Sequence, residues 1–231
     1  MKNLTLVLSV LCLFVVTGAA FPAPSERYSM DKDGQSVFFR GTKVCNTVDL
    51  PEVDRTVFRW MQVNTPQPSV WIFNPYMPDK TPFFLPVADG EECLNVFMPD
   101  EEEVFIVELK SSQNKLSMLV VCDMKGKKLF STPGKGPLYW IDGHRCLFTS
   151  FVKGKRIATG ASVLQILNDT ENDIDVTPVA EPDELTDYTA EGVENDDCIL
   201  IMTKVKSPRE WNNPDRNTTK TKITVPVPAA G

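Results

Sequence analysis

From Val37 onward the chain alternates short apolar runs with turn residues, and helical periodicity is weak throughout. The runs read as strands are Val37–Arg40, Thr56–Met61, Ser69–Phe73, Leu94–Met98, Glu103–Leu109, Leu116–Cys122, Lys128–Ser131, Leu138–Ile141, Cys146–Val152, Ala161–Leu167 and Cys198–Val205. They are rich in Val, Ile, Phe and Trp, side chains that suit a pleated, half-buried surface. Lys125-Gly126, Asp142-Gly143 and Lys153-Gly154 separate consecutive runs, and glycine can take the positive φ of a tight turn. Three successive antiparallel hairpins are therefore expected between about Leu116 and Leu167. The pattern predicts an all-β chain, an antiparallel β-sandwich of jelly-roll or related topology. Cys198 to Met202 is apolar without alternation, the mark of a strand buried on both faces.

Three stretches break the pattern. Residues 21–35 are polar, contain proline and read as a flexible leader, and residues 207–231 read as a mobile Thr- and Pro-rich tail. A single domain is expected over residues 36–206. Within it, residues 168–197 carry twelve carboxylates and no Lys or Arg, so they read as a long acidic loop inserted before the last strand.

The first residues change the compartment. Lys2, the apolar run Leu4–Val16, and Gly18 and Ala20 at the cleavage positions make residues 1–20 a signal peptide cut after Ala20. The run is shorter than the roughly 18–20 residues a bilayer span needs, so no membrane span is expected. The expected product is secreted and extracellular. Asn168-Asp169-Thr170 and Asn217-Thr218-Thr219 are glycosylation sequons, which places Asn168 and Asn217 on the surface.

After cleavage five cysteines remain: Cys45, Cys93, Cys122, Cys146 and Cys198. In an oxidising compartment they predict a disulfide-tied fold with two bridges, one of them through Cys198, and an odd thiol that is buried or links two chains. No C-x-x-C spacing favours zinc, and no metal site is expected.

Formal net charge is −7 and the pI is near 4.9, which argues against nucleic acid as a partner. The charge is polarised, because residues 110–156 hold ten basic side chains against Asp123 and Asp142. The acidic stretch is expected either to fold back on that basic region or to capture a basic protein or peptide.

The catalytic inventory is thin. His144 is the one histidine, and Asp142 and Cys146 flank it at two residues' distance, but Asp142-Gly143 reads as a turn that removes the three from a shared strand face. Neither a G-x-S-x-G elbow, a phosphate loop nor H-E-x-x-H is present, so no cofactor is expected. Asn168, Asp169, Glu171, Asp173 and Asp175 are hard-oxygen groups, yet without a glycine to turn the chain they read as solvated rather than as a calcium loop. Cys45 to Trp60 has an immunoglobulin-like spacing, but no tyrosine stands two residues before a later cysteine.

The reading that follows is a secreted, non-enzymatic binding glycoprotein that recognises a protein or peptide through surface loops and charge. The partner-binding candidates are Tyr76 and Met77, between Pro75 and Pro78, with Asp173, Asp175, Asp183 and Glu184 of the acidic stretch. The alternatives are a β-barrel carrier of a small apolar ligand and a carboxylate-dependent hydrolase.

Overall fold

The computed structural model describes residues 27–64, 67–99, 103–113, 116–154, 156–168, 170 and 173–229. The expected signal peptide, its expected cleavage point after Ala20 and the first residues of the expected leader lie outside them. The described chain is all-β with antiparallel pairing throughout, as the alternation predicts.

Among the described residues, sixteen strands form four sheets. The first holds β1 (Tyr28–Met30), β2 (Ser36–Phe39) and β3 (Thr42–Asn46), and the second β4 (Arg59–Val63), β5 (Ser69–Phe73) and β6 (Phe83–Pro86). The third is a seven-stranded meander of β7 (Glu91–Phe97), β8 (Val104–Ser111), β9 (Ser117–Asp123), β10 (Lys128–Trp140), β11 (Arg145–Lys153), β12 (Ile157–Ile166) and β13 (Ile174–Ala180). The fourth holds β14 (Thr186–Glu194), β15 (Asp197–Lys204) and β16 (Thr219–Pro226). The three hairpins expected between Leu116 and Leu167 are β9–β10, β10–β11 and β11–β12.

The side chains show how the sheets stack. Along β5, Val70 and Ile72 enter one core while Trp71 and Phe73 enter another, shared with Tyr28, Met30 and Val37 of the first sheet. Along β8, Phe105, Val107 and Leu109 face the second sheet, whereas Val104 and Ile106 face the opposite way. That opposite core draws every buried member from β7 to β13, so the meander covers its own face by curling over. The bend lies in β10, which pairs with β9 up to Pro133 and with β11 from Gly134 onward. The rest of β11 and β12 (Leu147, Ala161, Val163) packs on Ala190, Cys198 and Leu200 of the fourth sheet. Five layers enclosing four cores result, which explains apolar runs such as Val104–Val107 that do not alternate.

This arrangement corrects several expectations. The acidic stretch is not a loop: it supplies β13, paired with β12, and β14, paired with β15. The tail forms a 3₁₀ turn at Pro208–Asn212 and then β16, which pairs with β15 along its length. The leader is folded from Arg27, where β1 pairs with β2. Of the run Cys198–Met202, only Cys198, Ile199 and Leu200 are buried. The meander is open rather than a closed barrel, and Phe97, Phe148, Leu164 and Ile166 are buried inside its curl.

The disulfide ties are also overturned, for a geometric reason: the five cysteines among the described residues are all free. Cys45 faces the core between the first two sheets, Cys146 the inside of the curl, and Cys198 the core under the fourth sheet. Cys93 and Cys122 share one core, but β8 separates their strands. Two inter-strand steps amount to about 9.6 Å, well beyond the Cα separation of about 4.4–6.8 Å that a disulfide spans.

Glycine at position 126 links the layers. Asp123 holds the β9–β10 turn by accepting the Lys125 and Lys127 amides through Oδ1, both at 2.8 Å. Gly126 has φ +81°, and a Cβ there would stand 1.4 Å from the Phe84 carbonyl oxygen of β6. Gly41 has the same φ of +81° with open space around it. Gly41→Ala is expected to cost about 1–2 kcal/mol, the price of a left-handed alanine. Gly126→Ala adds a clash with main chain, and we expect about 3 kcal/mol or more in urea unfolding. Equal costs at the two positions would show that the contact with Phe84 carries no energy.

Candidate functional site

The structure splits the six predicted partner-binding residues into three places. Tyr76 and Met77 are 75% and 52% exposed in the turn after β5. Tyr76 borders a small cleft with Asp33, Thr47, Val48, Arg59 and Pro75, and Arg59 there is paired with Glu52 at 2.7 Å. Asp173 and Asp175 lie at the start of β13, where Asp175 stands opposite Gln165. Asp173 Oδ2 accepts the Asn168 amide at 3.2 Å and the Thr170 hydroxyl at 2.5 Å, so this acid closes its own turn. Asp183 and Glu184 lie beyond the other end of β13, near the residues that open β12, about 25 Å along the strand from Gln165.

Asp183 and Glu184 line a cleft of about 470 Å³, together with Val152, Arg156, Pro182 and Trp211. Three elements meet there. The β11–β12 hairpin brings Val152 and Arg156, the β13–β14 connection brings Pro182 to Glu184, and the Pro208–Asn212 turn brings Trp211. The Arg156 guanidinium lies over the Trp211 ring, 4.1 Å from its centroid. Its Nη2 reaches Asp187 Oδ1 at 2.7 Å and donates to the Asp183 carbonyl at 2.9 Å. Trp211 Nε1 donates to the Glu184 carbonyl at 2.9 Å, and Arg216 lies over the same ring at 5.8 Å. The ring therefore fastens the β15–β16 connection to the β13–β14 connection, each cation–π contact adding about 0.5–1 kcal/mol at such an exposed place.

Asp183 is an exposed carboxyl held below its ordinary range, chiefly because it accepts the Leu185 amide at 2.7 Å, with help from Thr186 and the nearby Lys204 charge. It is ionised at neutral pH. Sequence reasoning missed Arg156, which counted only among the ten basic side chains of residues 110–156, and Trp211, assigned to a mobile tail. One signal was present: a Trp isolated in the polar segment Ser207–Asn213 has to bury its ring against something.

The remaining chemistry is elsewhere. His144 precedes β11 in a turn where its amide donates to Asp142 Oδ1 at 2.9 Å. Cys146 is fully buried inside the curl, and burial pushes its thiol well above the ordinary range, which disfavours the thiolate. Burial likewise pushes Cys122 up to about 12. Among the described residues, no group of three or more His, Cys, Asp or Glu is arranged to hold a metal ion, and no helix is long and apolar enough to cross a membrane. Asn168 and Asn217 are both exposed. No protein-family model matches the chain, and no curated protein matches it.

Proposed function

We propose that this is a secreted, non-enzymatic binding glycoprotein that captures a basic protein or peptide on its acidic β13–β14 limb. One observation carries the reading. Asp175, Glu181, Asp183, Glu184, Glu191, Glu194 and Asp196 are exposed along β13, β14 and their turns, on chain that is held in sheets. Fixed carboxylates need no ordering when a cationic partner arrives, so less of the attraction is offset by entropy than in a mobile loop. An ion pair joins the two segments at Arg156–Asp187, while the segments are otherwise held by the β12–β13 ladder and the apolar core under the fourth sheet.

The test is titration of the full chain with a labelled oligolysine peptide at low and at physiological ionic strength, where the screening length is about 8 Å. Affinity should fall as salt rises. The combined variant Asp175→Asn, Glu181→Gln, Glu191→Gln and Glu194→Gln should bind at least about tenfold more weakly, each exposed charge pair contributing about 0.2–1 kcal/mol. Unchanged affinity in that variant, with its melting temperature intact, defeats the reading.

A further inference from the structure

Independently of the acidic limb, we infer that the outer edge of β16 is a binding site for an extended acidic peptide, which joins the fourth sheet as an antiparallel strand. The backbone defines the edge. The Val227 amide donates to the Asp196 carbonyl at 3.1 Å, one step beyond the β15–β16 ladder that sets Asp197 opposite Pro226. In an antiparallel pair, opposed residues that exchange hydrogen bonds alternate with opposed residues that do not. By that alternation Val225, Ile223, Thr221 and Thr219 bond to β15, whereas Lys220, Lys222 and Thr224 turn N–H and C=O away from it. Among the described residues no strand takes up those groups, because β16 is the last strand of its sheet. The opposite edge of the sheet differs. On β14 the Thr186 carbonyl accepts Arg156 Nη2 at 3.4 Å, and the Ala190 amide donates to the Thr149 hydroxyl at 3.1 Å.

Charge chooses the occupant. Ile223 and Val225 pack into the core under the fourth sheet, while Lys220, Lys222 and Thr224 are exposed on its other face. The two lysines close a stretch, residues 204–222, in which six basic side chains, all exposed, stand against Glu210 and Asp215, in a chain whose net charge is −7. No ion pair among the described residues engages either lysine. A second copy is a poor occupant, since two β16 edges would bring four lysines together. A residue added directly opposite Lys220 or Lys222 exchanges both main-chain bonds with it and projects its side chain on the same face. Glutamate at that position meets the lysine across the ladder, and the residues between continue the face of Ile223 and Val225. The edge thus selects an extended segment with acids at alternate positions, main-chain bonds supplying the attachment and the lysines the selectivity.

The probe is a blocked octapeptide alternating Thr and Glu, titrated against the full chain at low ionic strength beside two N-methylated forms of equal charge. Methylation at the Glu positions removes the donors that face β16, and methylation at the Thr positions removes those that face solvent. The parent and the Thr-methylated peptide should bind within about threefold of each other, and the Glu-methylated one at least about tenfold more weakly. Hydrogen exchange should slow at the Lys220, Lys222 and Thr224 amides when the parent peptide is bound. Lys220→Gln with Lys222→Gln, whose outward amides are intact, should weaken the parent peptide by about threefold to tenfold. Equal affinity for the two methylated peptides would reduce the contact to general charge attraction and overturn strand addition. Absence of parent binding, or unchanged affinity in the double variant, would overturn it as well.

Discussion

Deleting residues 170–195 is expected to abolish folding. As a loop, this stretch would be removable at little cost, because loop length weighs only logarithmically on stability. As structure, it contains β13 and β14. Ile174 and Val176 close one end of the core inside the curl, and Ala190, Tyr188 and Val193 cover Leu147, Ala161 and Val163 from outside. The Thr149 hydroxyl, 1% exposed, also loses the Ala190 amide that donates to it at 3.1 Å. Uncovering a large aliphatic side chain forfeits about 1.5–3 kcal/mol, so four or five of them match the roughly 5–15 kcal/mol that holds a domain together. Circular dichroism and analytical size exclusion should find an unfolded or aggregated product. A monomeric deletion with a cooperative melt would show that β14 does not cover the β11–β12 face.

Truncation after Lys206 is expected to strip the outer sheet without melting the rest. It removes β16, the partner of β15 from Asp197 to Lys204, and with it Ile223, Val225 and Val227 from the core under the fourth sheet. Two further ties go with it. Arg145, paired with Asp142 at 2.7 Å, donates to the Pro228 carbonyl at 3.0 Å, and Trp211 no longer joins Arg156 to the Glu184 carbonyl. Half-buried Ile and Val side chains contribute roughly 1 kcal/mol each, so with the lost ladder we expect about 3–6 kcal/mol. Hydrogen exchange should lose protection across β14 and β15 while β8 and β9, in the middle of the stack, keep theirs. Unchanged protection in β15 would mean that its edge needs no cover.

Four of the strands read from sequence stand between two cores. Ser69–Phe73, Glu103–Leu109, Leu116–Cys122 and Cys146–Val152 are dense in large apolar residues because layers cover both of their faces. The missed strands are at edges or on outer layers. β3 and β16 read as polar because solvent surrounds most of their side chains, and Thr219 to Lys222 are all exposed. β13 and β14 were hidden by charge for the same reason, since twelve carboxylates outweigh Ile174, Val176, Tyr188 and Val193 in any compositional average. Lys128–Ser131 and Leu138–Ile141 merge into β10 because Pro133, Gly134, Gly136 and Pro137 mark a bend inside a strand, not its end. Gly134 is needed there, since a Cβ would stand 2.5 Å from the Phe148 ring.

The candidate site was half legible. Asp183 and Glu184 could be chosen because exposed acids between proline and turn residues are visible in one dimension. Arg156 and Trp211 could not be joined to them, being 27 and 28 residues away from Asp183 along the chain. Only the meeting of the β13–β14 connection, the β11–β12 hairpin and the Pro208–Asn212 turn brings Arg156, Trp211, Asp183 and Glu184 to one cleft. By itself, then, the amino-acid order determined that the chain is β throughout, where its doubly covered strands run and which of its loops turn tightly, because alternation and turn chemistry act over a few residues. Pairing between distant strands decided the rest: that acidic residues build sheet, that the cysteines face separate cores, and that the meander curls rather than closes. Those outcomes depend on which faces meet across about 10 Å of packed sheet, and sequence spacing carries no record of that distance.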